Sequence, residues 1–309
     1  MRFCTNEPLS KAIVFIAIST LLNPVQGFMN FKNYAGSCSK YGYHKHIIHP
    51  TSSQIYKKNR AWLFPDPVLF PQFKEALLIN SSIFVALKFL KQSSLTSEGL
   101  IHSFFLGLGL WTYLGFNGWV LCVIYLIFGS LVTKIKMKEK EARGIAEARG
   151  GARGPENVWG SAATAMSVAM LTPLLPSMTP MLLVGYVASI ATKLSDTVAS
   201  EIGKAFGKTT YLITTLKIVP RGTEGAVSIE GTLAGIVASA VIGLIAYFLG
   251  LINMSGVGIS IFAAFVATTA ESYIGATFQD SIPWLTNELV NLINTIIGAV
   301  VAIGLSSIL

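Results

Sequence analysis

Residues 100–133 read LIHSFFLGLGLWTYLGFNGWVLCVIYLIFGSLVT, a stretch without a single Asp, Glu, Lys or Arg. At about 1.5 Å of rise per residue, a helix needs roughly 20 apolar residues to cross the ~30 Å hydrocarbon core of a bilayer. This stretch is far longer than one straight crossing requires. The GFNG sequence at 115–118 supplies a break, which reads either as a kink in one long helix or as the boundary between two spans, 100–114 and 117–133.

Outward from there the pattern repeats. Apolar runs of near-spanning length cover 73–90, 158–175, 180–198, 231–252, 256–272 and 287–308, with Pro173, Pro176 and Pro180 marking the turn between two of them. The chain is 52% hydrophobic and 12% charged, against about 25% charged in a soluble domain. It has too little polar surface to cover a water-soluble globule. The expected fold class is all-α: a polytopic membrane helix bundle of about six to eight transmembrane helices.

The net charge of +8 is unevenly placed. Residues 1–60 hold eight of the 23 Lys and Arg and one of the 15 acids, so the remainder is nearly neutral. That distribution gives nucleic-acid binding no support. If 158–198 form a hairpin, parity puts loops 134–157, 199–230 and 273–286 on one side of the membrane. The first two hold eleven of the fifteen bases that follow residue 60, while the connections on the other face, 176–179 and 253–255, carry no charge. Cys4, Cys38 and Cys122 offer neither a disulfide framework nor metal-ligand spacing.

The first sixty residues read as an address. An eleven-residue apolar core over 12–22 follows Arg2 and Lys11, and Val25 and Gly27 are small residues ahead of a cleavage point, as in a secretory signal peptide over 1–27. Residues 28–60 are basic, rich in Ser and Thr and free of Asp and Glu, like a transit peptide. The two together resemble the bipartite presequence of plastids of secondary-endosymbiotic type, in which an aromatic residue follows the signal cleavage; Phe28 stands there. The expected location is a plastid membrane. The alternative is the endomembrane system, with a basic N-terminus that stays disordered. Residues 61–309 form the expected integral-membrane catalytic domain.

Polar residues gather in three stretches. In the first, KIKMKEKEARGIAEARGGARGPENV (134–158), Glu139 and Arg143 have favourable i,i+4 helical spacing, and the chain then breaks at Gly150 and Gly151. Glycines let backbone amides approach phosphate oxygens, and Arg149 or Arg153 can hold them by paired hydrogen bonds; the competing reading is a basic helix resting on anionic membrane lipids. In the second stretch, Asp196 lies in the last turns of an apolar helix, where a carboxylate is costly without a task or a partner. Lys193 is its local alternative partner. Glu201, five residues on, points about 140° away on an unbroken helix, which implies different ligands for the two acids. Lys208, Lys217, Arg221, Gly222, Thr223 and Gly225 add cations, a hydroxyl and flexible backbone, the parts of a magnesium–nucleotide site without a Walker sequence. The third stretch sets Glu271 at a helix C-terminus, against the helix dipole. Asn287, Asn291 and Asn294 share a face suited to interhelical hydrogen bonds, and His102 reads as a packing residue.

Four segments together, GIAEARGGARGP (144–155), SDTVASEIGK (195–204), LITTLKIVPRGTEGAVSIEGTL (212–233) and ESYIGATFQD (271–280), resemble an integral-membrane family that contains plastid phytyl-phosphate kinase and animal transmembrane protein 19. The similarity spans roughly 73–309. Two departures are Glu271, where the family usually has Asp, and Val198, where it often has Trp. More distantly, the order of Asp196, Gly203, Lys208, Lys217 and Thr223–Gly225 is similar to polyprenol kinases that use CTP.

The resemblance implies an enzyme that transfers a phosphoryl group from a nucleotide such as CTP, with Mg2+, to a lipid phosphate, giving phytyl diphosphate for tocopherol or related prenyl-lipid synthesis. It implies Asp196 and Glu201 as metal ligands; Asp196, Glu201, Lys217, Arg221 and Glu271 as catalytic residues; and Gly150, Gly151, Arg153, Lys208, Gly222, Thr223 and Gly225 as nucleotide or phosphate contacts. The residues themselves leave two alternatives open: a prenyl alcohol (phytol) kinase, and a membrane transporter that uses Asp196 and Glu271.

A reporter carrying residues 1–27 is expected to enter the secretory pathway, and one carrying residues 1–60 to reach the plastid, in a cell with secondary plastids. Retention of the longer fusion in the endomembrane system would overturn the bipartite reading.

Overall fold

The structure, a computed structural model, describes residues 72–89, 94–279 and 281–309, all within the unit Pro67–Leu309. The expected signal peptide and transit peptide-like segment, with Phe28, Cys4 and Cys38, lie outside the described residues. What is described is a helix bundle: α1 (Phe73–Phe89), α2 (Ser97–Thr133), α3 (Met137–Ala142), α4 (Pro155–Leu171), α5 (Thr179–Phe206), α6 (Ile229–Phe248), α7 (Met254–Ile274) and α8 (Asn287–Ser306). Five helical segments, the α2, α5, α6, α7 and α8 regions, are long and apolar enough to cross a membrane. Large apolar side chains such as Phe105, Phe116, Leu131, Val237 and Phe262 are exposed on the outside of the bundle, as a lipid-facing surface requires.

The 37 residues of α2 are not one rod. Gly115 has φ 70 and ψ −170, a conformation that only glycine adopts without strain. A β-carbon at Gly107 would lie 3.0 Å from the Trp119 indole nitrogen, and β-carbons at Gly99 and Gly129 would both fall against Arg153. A straight helix of this length spans about 55 Å, so its ends could not meet at one residue. The chain therefore doubles back at Gly115 into two antiparallel arms. Trp119 Nε1 donates to Asn80 Oδ1 (3.2 Å), tying the second arm to α1.

Helix α5 occupies the centre. Its most apolar window is 83% buried, against 33–39% for the four other candidate spans. Its neighbours approach through small residues: a β-carbon at Gly231 would lie 2.5 Å from the Ala199 carbonyl oxygen, at Gly235 2.9 Å from that of Ser195, and one at Gly298 would clash with Thr192 Oγ1. Close backbone approach of this kind is how membrane helices associate when burial of apolar surface supplies no drive between them. Side-chain caps start four of the eight described helices: Thr96, Ser228, Asn253 and Thr286 each accept from a backbone N–H three residues on.

Two expectations change. The span expected at 180–198 continues to Phe206, so Asp196 sits well inside a helix rather than in its last turns. The polar residues did not end the helix because they face the protein interior. The charged helix after α2 is one short piece, α3, in which Glu139 pairs with Lys136 (3.3 Å) instead of Arg143, the residue that ends it. A two-strand ladder, β1 (Tyr211–Leu212) with β2 (Ala226–Val227), braces the loop between α5 and α6.

Gly115→Val is expected to cost about 1–3 kcal/mol in the turn. A lowered thermal midpoint in detergent checks this, and an unchanged midpoint contradicts a strained turn at Gly115.

Candidate functional site

The three loops predicted to share a face do meet at one end of the bundle. Lys140 of α3 pairs with Glu201 of α5, and Lys204 Nζ with Glu147 Oε1 (3.3 Å). Asn157 Nδ2 donates to Glu288 Oε1 (3.2 Å), and Gly225 packs on Ala276. A β-carbon at Gly225 would clash with Ser272 and Ala276, and its φ of +71 independently demands glycine. Between these loops opens a cavity of about 610 Å³. Its walls come from α4, α5, α6, α7 and α8 and from both long loops, and they carry Arg149, Arg153, Lys193 and Lys204 together with Glu147, Asp196, Glu201, Glu224, Glu271 and Glu288.

Helix α5 supplies the charges at the cavity floor. Lys193 and Asp196, one turn apart, form an ion pair, and Lys193 Nζ also donates to Asn291 Oδ1 (2.7 Å). Across from them Glu271 of α7 faces Asp196, with Asn294 Nδ2 3.5 Å from its carboxylate. Glu201 lies elsewhere on the helix. It and Lys140 are each 1% exposed; Lys140 Nζ also donates to the Thr133 carbonyl (2.7 Å), and Lys204 Nζ stands 3.8 Å from Glu201 Oε1. The two acids thus have separate partners, Asp196 with Lys193 and Glu271, Glu201 with Lys140 and Lys204.

The loop before α4 makes the opposite wall. Arg149 and Gly150 both have positive φ (56 and 60), and this turn brings Arg149 onto Glu156 and Asn157 Oδ1 (2.8 Å). Arg153 reaches inward: its Nη1 donates to the Tyr125 hydroxyl (2.9 Å), and the guanidinium lies 5.2 Å from that ring's centroid. Its backbone is tied on both sides, the N–H to the Ser94 carbonyl (2.9 Å) and the carbonyl to the Thr96 N–H (3.0 Å).

Of the residues singled out from sequence, Asp196, Glu201, Glu271, Gly151, Arg153, Gly222, Thr223 and Gly225 line the cavity. Gly150, Lys208, Lys217 and Arg221 do not. The strand pairing turns residues 215–220 outward and leaves Lys217 exposed, while the exposed Lys208 gives its backbone N–H to Glu230 (3.2 Å). Lys204, Glu147 and Asn157 are wall residues that sequence reading passed over. Lys204 stands eight residues after Asp196, about 80° around the helix and between the directions of Asp196 and Glu201, a signal visible only if the helix is known to continue. His102 takes a hydrogen bond from Trp159 Nε1 (2.8 Å) and packs away from the cavity.

No three His, Cys, Asp or Glu side chains among the described residues converge as a preformed metal cage. Magnesium does not need one, since it binds through one or two carboxylates and completes its shell with phosphate and water. Asp196 and Glu271, facing each other on the cavity wall, fit that donor set, whereas Glu201, the acid expected to hold the metal with Asp196, is paired with Lys140 and stands beside Lys204.

A family model for the integral membrane proteins DUF92 matches residues 80–299. An uncharacterized membrane protein of Synechocystis sp. is 52% identical over 233 residues, covering 75% of this chain and 90% of that protein. Protein VTE6, chloroplastic, of Arabidopsis thaliana is 45% identical over 238 residues, 75% of this chain and 72% of its own. An uncharacterized membrane protein of Methanocaldococcus jannaschii is 34% identical over 220 residues, 71% and 89% respectively. No solved structure matches.

Glu201→Gln leaves the Lys140 ammonium buried beside a neutral amide and is expected to destabilise the protein by about 3–5 kcal/mol. Adding Lys140→Met should recover most of that loss. Unfolding followed in detergent reads both, and an unperturbed single variant removes the buried pair from the account of stability.

Proposed function

The chain belongs to the DUF92 family of integral membrane proteins, and on that premise we propose that it is a phytyl-phosphate kinase-like enzyme. It transfers the γ-phosphoryl group of a nucleotide, CTP in the first instance, to an isoprenoid monophosphate. The observation that carries this reading is the 610 Å³ cavity at one end of a lipid-facing bundle, which sets four cations and glycine-bearing turns around Asp196 and Glu271. The similarity to VTE6, chloroplastic, supports it, as does the resemblance of the loop motifs to that family.

The chemistry of the walls favours a phosphate over an alcohol as acceptor. The single His beyond residue 49 is His102, and it is committed to Trp159. An alcohol acceptor benefits from a general base. A phosphate monoester has a second pKa near 6, so it is mostly dianionic at neutral pH and attacks without losing a proton. An acceptor oxygen bonds to the γ-phosphorus, the bond to the β-phosphate oxygen breaks, and the nucleoside diphosphate leaves. Catalysis then rests on position and charge. Arg153 holds the acceptor phosphate by paired hydrogen bonds. Lys204 and the backbone of Gly222, Thr223 and Gly225 take the nucleotide phosphates, with Lys208, Lys217 and Arg221 around the rim. Lys193 fixes the Asp196 carboxylate. A magnesium ion held by Asp196 and Glu271 would offset the charge of the bridging oxygens.

In this reading the enzyme works in a plastid membrane, which the composition of segments 1–27 and 28–60 and the similarity to a chloroplastic relative support.

Purified protein given Mg2+, labelled CTP and either phytyl phosphate, geranylgeranyl phosphate or phytol is expected to label the two phosphates and not the alcohol. Asp196→Asn should lower the rate by about 10²–10³-fold while eluting as a folded protein. Transfer at the wild-type rate would remove Asp196 from the mechanism. Solute flux across sealed vesicles with no nucleotide consumed would replace the kinase with a transporter.

A further inference from the structure

A second cavity, of about 170 Å³, lies between α1, both arms of the α2 hairpin and α4. Phe84, Leu87, Leu100, Leu110, Val123 and Ala162 make it predominantly apolar. Three of its wall residues, Arg153, Asn157 and Ser161, are also walls of the polar cavity. The two spaces meet at those side chains, hydrocarbon on one side and cationic on the other.

Arg153 differs from the other cations of the polar cavity. Lys193, Lys204 and Arg149 each touch a carboxylate, of Asp196, Glu147 and Glu156 respectively. Arg153 has no carboxylate partner among the described residues; its side chain is partly buried and positioned by the Tyr125 hydroxyl and ring. A guanidinium drawn partly out of water and left without a counter-ion is costly until an anion completes it. Its planar fork suits two oxygens of a phosphate.

We infer that the apolar cavity receives the isoprene unit next to the phosphate of a polyisoprenyl phosphate whose headgroup is held by Arg153. This names the tail subsite of the acceptor and rests on the phosphoryl-transfer reading above. An apolar cavity of about 150 Å³ accommodates six carbons as benzene, so 170 Å³ matches one five-carbon unit and not a twenty-carbon chain. The remaining tail leaves past Ile83, which lines the cavity and is exposed on the bundle surface. Seated this way, the acceptor phosphate faces Asp196 and Lys204. The site reads the branch next to the phosphate and is indifferent to total chain length.

Geranylgeranyl phosphate carrying a diazirine on its first isoprene unit tests this with the full-length protein in lipid nanodiscs. Irradiation and peptide mapping are expected to place adducts within residues 100–126 and 158–162, suppressed by excess unlabelled geranylgeranyl phosphate. Ser103→Phe and Val123→Trp, at two partly exposed positions of the wall, should each reduce labelling. Each should also raise KM for the acceptor about ten-fold, with KM for the nucleotide unchanged. Adducts confined to α6 and α7, or labelling that the competitor does not suppress, overturn the pocket. The two readings fail separately. Competed labelling at 100–126 without phosphate transfer keeps the pocket and sinks the kinase; transfer with labelling elsewhere does the reverse.

Discussion

A helix that carries two lysines, an aspartate and a glutamate through the middle of a membrane bundle has to match every one of those charges inside the protein. Helix α5 does this with Lys193 against Asp196 and Asn291, and with Glu201 against Lys140 and Lys204. Lipid offers no counter-ion and no hydrogen bond, so each unmatched charge would cost several kcal/mol. The partners come from α3, α8 and the helix itself. Satisfying α5 therefore draws the loop after α2 and the start of α8 onto the same end of the bundle.

That end is reached only because the chain returns to it. The reversal at Gly115 brings both arms of α2 back to Arg153, and Arg153 in turn anchors the segment before α2 through Ser94 and Thr96. The glycines at 231, 235 and 298 let α6 and α8 lie so close to α5 that few side chains intervene. Helices thus set the floor and much of the walls of the polar cavity, and the loops that complete the walls are fastened by ion pairs. Preorganised charge of this kind suits phosphoryl transfer, in which little covalent chemistry falls to the protein.

The arrangement also separates two environments by one layer of side chains. Arg153, Asn157 and Ser161 border the polar cavity on one side and an apolar one on the other. An amphiphile with a phosphate head and a hydrocarbon tail matches that boundary without rearrangement. A nucleotide, polar throughout, matches only the larger space. On the proposed reading, the two reactants would approach one site from opposite sides.

The class of fold was legible in the sequence because it depends on composition and period. Charge-free runs of spanning length admit no other solution in a bilayer, and the charge asymmetry of the loops identified the polar face by parity alone. Asp196 and Glu271 stood out for the same reason, since a carboxylate inside an apolar run is conspicuous at any register. The partners of those residues were not legible. Lys140 meets Glu201 across 61 positions, and nothing in the local sequence of α3 distinguishes Lys140 from Lys134, Lys136 or Lys138. Lys217 and Arg221 stood out in the sequence while Lys204 did not, yet the β1–β2 ladder leaves Lys217 exposed and the continuation of α5 puts Lys204 in the cavity wall. Hydropathy is a sum over neighbours in the chain, so the sequence by itself determined the helices and the face at which charge collects. Which cation meets which acid is set by distances between helices, and those exist only after the bundle has packed.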